Sequence, residues 1–370
     1  MQQGVLLDAR MIKHSGIGTY LQNLIPYIVD KINLTVLGNS SALKDFSWSK
    51  QAQIIEMKSK IYSIKEQFEL LYKIPALSLF WSPHFNIPII PTKAKKQLVT
   101  VHDVFHLTFS KKISIPKRIY AKKLINSAVQ NSDRIITVSN FSKREIINHT
   151  GTNSDKIVVI YNGINKHLFN PDKDIQESTM IKKKYNLPEK FILYVGNVKP
   201  HKNLRRLLEA YLEIQDKIPD FSLVIVGETE DFLTADNQLF NFIKGDRVLR
   251  EKVHITGHIE MEDIAKLYRS AAIFVFPSLY EGFGLPPLEA MACGCPTVIS
   301  NIGSLSEVCG EAASYFDPNH SSSIAEKILH AITDRKLREK LKNIGLEQAK
   351  KFNWIDSANR HIEVIHELLN

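Results

Sequence analysis

Short β-branched and apolar runs alternate with stretches of helical periodicity along the chain. In the first half the runs fall at 4–8, 33–37, 79–82, 97–102, 134–139 and 156–161, and in the second at 191–196, 222–227, 253–256, 273–277 and 296–300. Several of them, such as Leu223-Val-Ile-Val226, are apolar at every position, which is the pattern of strands covered by helices on both faces. Between the runs, Leu21, Leu24, Ile25 and Ile28, and later Leu204, Leu207, Leu208 and Tyr211, recur at helical spacing. The pattern predicts an α/β chain of two parallel-sheet domains, and a length of 370 residues suits that number. The stretch 162–186, rich in Lys, Asp and Asn and broken by Pro171, reads as a linker or hinge. We expect one domain over 1–168 and a second over 169–354. Ligands of such domains sit beyond the carboxyl ends of the strands, so chemistry is sought in the residues that follow each strand.

Four segments in those positions stand out. Lys13-His-Ser-Gly-Ile-Gly-Thr-Tyr20 opens a helical pattern, and Gly16 and Gly18 there would let backbone amides approach a phosphate, unless they serve only a structural turn. A dinucleotide fingerprint fits less well, because Leu21 holds the place of its third glycine and the turn comes late after the strand. His102-Asp103 ends a strand; the imidazole can meet a substrate hydroxyl, and the carboxylate can orient it or hold a loop amide. Gly196-Asn-Val-Lys-Pro-His-Lys-Asn203 leads into a helix, with Asn203 suited to cap it and Lys202 beside its N-terminus, where a diphosphate would meet both charge and dipole. Pro277-Ser-Leu-Tyr-Glu-Gly-Phe-Gly-Leu-Pro-Pro-Leu-Glu289 leaves a strand, passes a glycine loop and enters a helix expected to end before Gly294. In it Glu281 can accept from ligand hydroxyls, the amides of Phe283, Gly284 and Leu285 can donate to ligand oxygens, and Glu289 can take a ribose diol in fork fashion.

Composition narrows the setting. Cys293, Cys295 and Cys309 are too few for a disulfide framework and suit a reducing cytoplasm. The longest apolar runs fall far short of the ~18 residues that cross a bilayer, and 5–7 is too short for a secretory signal. The net charge of +9 is unevenly placed: residues 1–170 hold 23 Lys and Arg against 10 Asp and Glu, the remainder 25 against 29. Within 93–123, Lys93, Lys95, Lys96, Lys111, Lys112, Lys117, Arg118, Lys122 and Lys123 face one acid, Asp103, with Ile113, Ile115, Ile119 and Leu124 interleaved. This segment suits anionic lipid headgroups or a polyanionic acceptor; no zinc spacing or aromatic interleaving points to nucleic acid.

Glu281 and Glu289, with Gly282-Phe-Gly284 between them, resemble the paired-glutamate motif of retaining glycosyltransferases of family 4. Ser15-Gly-Ile-Gly-Thr-Tyr20, His102-Asp103, Val138-Ser-Asn-Phe-Ser142, Asn162-Gly-Ile164, Lys199-Pro-His-Lys-Asn203, Val226-Gly-Glu228 and Ile255-Thr-Gly-His-Ile259 follow in the family's order over essentially the whole chain. The spelling is similar to that of mannosyl- and deoxyhexosyltransferases of bacterial surface polysaccharide assembly. The resemblance implies the GT-B fold, two Rossmann-like domains facing a central cleft, with a helix near 355–370 packed back on the first domain. It implies a nucleotide diphospho-sugar donor, a glycan or lipid-linked acceptor and no metal cofactor. Lys202 would meet the diphosphate, Glu289 the ribose, Glu281 with Gly282 to Leu285 the sugar, Gly16 and Gly18 the diphosphate or sugar, and His102 the sugar near the reacting carbon. The backbone at Gly257 and Ile259 would read the base. Asn197 stands where many members carry an arginine, so Lys199, His201 or Arg205 would have to supply the second positive charge. The basic residues would hold the enzyme on the inner face of the cytoplasmic membrane. A UDP-sugar-dependent transferase, a sugar-nucleotide epimerase or hydrolase, and a non-catalytic carbohydrate or nucleic-acid binder are the alternatives.

Overall fold

The computed structural model describes residues 2–109, 115–172, 174–227 and 237–370, and among these thirteen strands pair in parallel into two sheets. The first holds β1 (Gln2–Asp8), β2 (Leu34–Gly38), β3 (Gln53–Glu56), β4 (Leu77–Ser82), β5 (Lys96–Thr100), β6 (Arg134–Thr137) and β7 (Ile157–Val159), in the order β3-β2-β1-β4-β5-β6-β7. The second holds β8 (Lys190–Val195), β9 (Phe221–Val226), β10 (Val253–Gly257), β11 (Ile273–Phe276), β12 (Thr297–Ser300) and β13 (Ala313–Phe316), in the order β10-β9-β8-β11-β12-β13. Both are doubly wound, and the order reverses between β1 and β4 in one sheet and between β8 and β11 in the other. Loops leaving neighbouring strands in opposite directions open a crevice at such a point.

The chain divides into one unit of Met1–Gly163 with Asn353–Asn370, and another of Ile164–Phe352. In the first, the helices Ser15–Ile28 and Trp354–Leu369 share a core: Leu21, Leu24 and Ile28 pack with Ala358, Val364 and Ile365 over Leu7, Leu79 and Trp81. The opposite faces carry Leu124, Ile125 and Val129 of the helix Ile115–Asn131, packed with Val99 and Val101, and Leu70 of the helix Ile64–Lys73, packed with Leu6 and Phe80. Leu124 is therefore a core residue and not part of an exposed basic face.

Gly163 lets the terminal helix seat. A Cβ there would lie 2.2 Å from the Trp354 amide nitrogen, so a side chain and this docking exclude one another.

A further expectation is corrected. The segment 162–186 is no extended linker: Asp174 caps the helix Ile175–Lys184, whose Ile181 is buried and which packs on the helix Met261–Ser270. Strands β3 and β13 escape the apolar pattern because they are four-residue edge strands that carry polar residues, Gln53 and Glu56 in one and Ser314 in the other, and no residue of β3 is fully buried.

Candidate functional site

In the second unit the crevice is bounded by 196–203, which follow β8, and 277–284, which follow β11. The two loops are pinned to each other: the Leu279 amide donates to the His201 carbonyl at 2.7 Å, and Asn203 Nδ2 donates to the carbonyls of Pro277 (3.1 Å) and Pro318 (2.8 Å). Asn203 stands at the N-cap of the helix Leu204–Ile214, but with φ +60° and its side chain spent on these carbonyls it caps no helical amide. Its role is to join loops. Lys202 and Glu281, one from each loop, meet at 2.5 Å, and the ammonium also lies 5.1 Å from the Phe276 ring centroid. Both side chains are largely buried, so each charge depends on the other for compensation.

Gly284, at φ +105°, begins the helix Leu285–Ala292, and a Cβ there would lie 2.4 Å from Leu305 Cδ2. The backbone angle calls for glycine, and any side chain would also have to displace the buried Leu305 methyl. Gly294, at φ +70°, follows the helix's last residues as a left-handed C-terminal turn. Glu289 lies inside this helix, buried, with Tyr268 Oη donating to Oε2 at 3.2 Å; burial raises its carboxyl pKa to about 7, against the lowering effect of that hydrogen bond. Gly282 and Phe283 are buried, and Phe283 packs edge-on to Phe352 at 5.8 Å. Gly257 ends β10 at φ +76°, and Ile259 just beyond it is buried.

Asn197 carries a buried Oδ1 with no hydrogen-bond partner among the described residues, an acceptor placed where a cation was sought. Arg205 does not replace that cation: it pairs with Glu209 at 2.7 Å, and its guanidinium lies 3.4 Å from the Phe242 ring centroid.

The first unit brings a second set together. His102 Nε2 donates to the Pro83 carbonyl at 3.0 Å, which leaves Nδ1 as the acceptor nitrogen; burial lowers its pKa to about 4, so the ring is neutral. Asp103 holds the Phe105 amide (2.9 Å), and Ser142 Oγ fixes the His102 carbonyl (3.0 Å). Against the imidazole stands the edge of Tyr20, ring centroids 4.9 Å apart. Tyr20 belongs to a buried chain of hydrogen bonds whose direction the chemistry dictates. The Ser357 carbonyl can only accept, so His361 Nδ1 donates to it (2.7 Å), and Nε2 must then accept from Tyr20 Oη (2.6 Å). Thr100 Oγ1 lies 3.3 Å from Tyr20 Oη and accepts from Trp81 Nε1 at 3.1 Å. Helix Trp354–Leu369 thereby holds the residue that backs His102.

Gly18 is explained by packing alone, since a Cβ would lie 2.5 Å from the Ile12 carbonyl oxygen, whereas Gly16, in the first turn of the helix Ser15–Ile28, faces open space.

At the crevice between β1 and β4 lies a network that no spacing in the sequence announced. Arg10 forks Asp8 and reaches Glu66 (both 2.5 Å); Asn86 Nδ2 donates to Glu66 at 2.7 Å; and Tyr62 Oη meets His84 Nε2 at 3.1 Å. Arg10, Asn86 and His84 line one small cavity, and the Asn86 Oδ1 is buried without a partner among the described residues. The signal available was positional: Asp8-Ala-Arg10 and Ser82-Pro-His-Phe-Asn86 follow strands at the switch point.

Of the basic residues, Lys111 and Lys112 lie outside the described residues, as does the side chain of Lys117; Arg118, Lys122 and Lys123 are exposed. Among the described residues no group of three or more His, Cys, Asp or Glu could hold a metal ion, and no helix is long and apolar enough to cross a membrane. A cavity of about 310 Å³ lies by Ala271, Ala272 and Pro296, at the opposite ends of β11 and β12.

Comparison with known proteins completes the picture. Residues 15–168 match the family described as Glycosyltransferase Family 4, and 176–348 the one described as Glycosyl transferases group 1. The chain is 33% identical over 290 residues to the O-antigen chain mannosyltransferase B of Escherichia coli, covering 77% of this chain and 73% of that protein. It is also 33% identical, over 68% of its length, to the serotype-specific mannosyltransferase WbdA of Escherichia coli, of which it spans 31%. Anabaena HepE, solved in complex with UDP and glucose, has a similar fold with a TM-score of 0.79, at 16% identity over 99% of this chain and 100% of that one. These matches, with two doubly wound parallel sheets, mean that the chain belongs to glycosyltransferase family 4 and is a glycosyltransferase of the GT-B fold.

Proposed function

We propose that the protein transfers mannose from GDP-mannose, with retention at the anomeric carbon, to a hydroxyl of a glycan or lipid-linked acceptor during assembly of a bacterial surface polysaccharide. The observation that carries the sugar is the 33% identity to an O-antigen mannosyltransferase over most of both chains.

The site supports the reaction class through its charges. Lys202 leaves Glu281 for the donor diphosphate; Glu281, released, and Asn197 Oδ1 accept from sugar hydroxyls, while the 283–285 amides donate to sugar oxygens. Glu289 as carboxylate takes the ribose diol, and the backbone at Gly257 and Ile259 meets the base. In the first unit the open face of Gly16 admits the diphosphate or sugar, and His102 Nδ1 accepts from a sugar hydroxyl. Two carboxylates could suggest a glycosidase-like double displacement, but with Glu289 on the ribose none remains as second partner. The departing phosphate oxygen itself takes the acceptor proton on the face it leaves. Catalysis then comes from positioning and from stabilising charge on the leaving group, met by Lys202 and the helix N-termini without a metal. The acceptor belongs to the cationic first unit, and the enzyme works at the cytoplasmic face of the membrane.

A UDP-sugar is the specific alternative, because HepE was solved with UDP and glucose. Thermal-shift titration against GDP-mannose, UDP-glucose and UDP-GlcNAc separates the two: GDP-mannose should raise Tm most and Glu289→Ala should abolish the shift, whereas a larger response to a UDP-sugar overturns the mannose assignment.

A further inference from the structure

The helix Ile64–Lys73 is apolar on two opposite sides. Leu70, with Ile74 just past the helix end, is buried in the core with Leu6 and Phe80, and Glu66 turns inward to Arg10 and Asn86. At i, i+4 and i+8 on the other side stand Ile64, Phe68 and Tyr72, exposed by 81%, 57% and 83%. A helix covering a core puts polar residues there, and while one exposed apolar side chain needs no explanation, a row of three does.

The row does not stand alone. The Ile89 amide donates to Gln67 Oε1 of the helix at 2.8 Å, which lays exposed Ile89 and Ile90 alongside it. Tyr120, next to exposed Ile119, lies within electrostatic reach of Tyr62 and Glu66. These segments also supply exposed cations, Lys60, Lys65, Lys93, Lys95, Arg118 and Lys122, none of them in an ion pair among the described residues. A second copy of this chain docked face to face would bring like charges together. An anionic bilayer surface complements both features, with apolar side chains entering the boundary of headgroups and acyl chains and ammonium groups meeting lipid phosphates.

We propose that the outer side of the helix Ile64–Lys73, with the 89–90 loop and the start of the helix Ile115–Asn131, docks the protein on an anionic lipid surface by inserting Ile64, Phe68 and Tyr72. This rests on the membrane-borne acceptor proposed above and adds an apolar anchor to what charge alone would hold.

The test is co-sedimentation of the full chain with vesicles of phosphatidylcholine, with and without phosphatidylglycerol, alongside transfer to a short water-soluble glycan acceptor. The wild type should bind the phosphatidylglycerol vesicles, and the triple variant Ile64→Ser, Phe68→Ser, Tyr72→Ser should partition about tenfold less while keeping its rate on the soluble acceptor. The single variant Phe68→Trp guards against misfolding: because Trp48, Trp81 and Trp354 are buried, its fluorescence should shift to the blue on those vesicles and not on phosphatidylcholine alone. Wild-type binding by the triple variant, an unshifted Phe68→Trp spectrum, or a wild-type dimer that the triple substitution splits overturns the proposal. Absence of transfer to the soluble acceptor with vesicle binding intact would instead defeat the proposed reaction.

Discussion

Glu289 sets binding against stability. It is buried with the Tyr268 hydroxyl as donor and a pKa pushed up to about 7, yet the proposed role needs its anion. A carboxyl whose pKa rises on folding favours the fold when protonated, so this contribution is full below about pH 4.5 and is lost as pH rises through about 7. The shift corresponds to about 3 kcal/mol. Glu289→Gln keeps an acceptor for Tyr268 and removes the charge, so it should raise Tm above neutrality, change it little near the acid end, and lose the donor-induced shift at every pH. A Tm unchanged in mild alkali would mean that the anion is not buried at that cost. The residues proposed for the donor side stand out in the sequence because Lys202 and Glu281 lie in loops that leave apolar strands, and Glu289 in the helix that one of these loops enters, all marked by glycines and prolines, which only special backbone geometry explains. Arg10, Glu66 and Asn86 were not, since the first two stand 56 positions apart and meet only through the fold.

Among the elements, inner strands such as β8 and β9 stand out because burial on both faces makes them largely apolar, whereas two of the four edge strands, β3 and β13, are short and carry polar residues within the run. The return of the terminal helix followed only from family resemblance; what fixes it is Gly163, against which Trp354 seats, and the bond from Tyr20 to His361, partners 341 positions apart. Tyr20→Phe keeps the ring beside His102 and strands His361 Nε2 in the core, so it should cost about 1–3 kcal/mol in denaturant unfolding of the first unit. Burial lowers the His361 pKa to about 4, and the stability that depends on a neutral ring is present above about pH 6.5 and lost as pH falls through about 4. A wild-type midpoint in Tyr20→Phe would show that the hydroxyl does not hold the helix.

Over the whole molecule, charge is what the sequence announced: the surplus of positive residues in the first half, beside a mildly acidic second half. The apolar ridge on that same half was hidden, because Ile64, Phe68 and Tyr72 repeat at the spacing of a core face. Only the inward course of Glu66 and Leu70 shows them to be outside. The account as a whole turns on retaining transfer from a nucleotide diphospho-sugar at the loops joined by Lys202 and Glu281. The most direct measurement is NMR of the product formed from GDP-mannose and a lipid-linked glycan acceptor, with chelator present. The account predicts a new α-mannosidic linkage, absent for Lys202→Ala; a β linkage, free mannose as the sole product, or a requirement for manganese would contradict it.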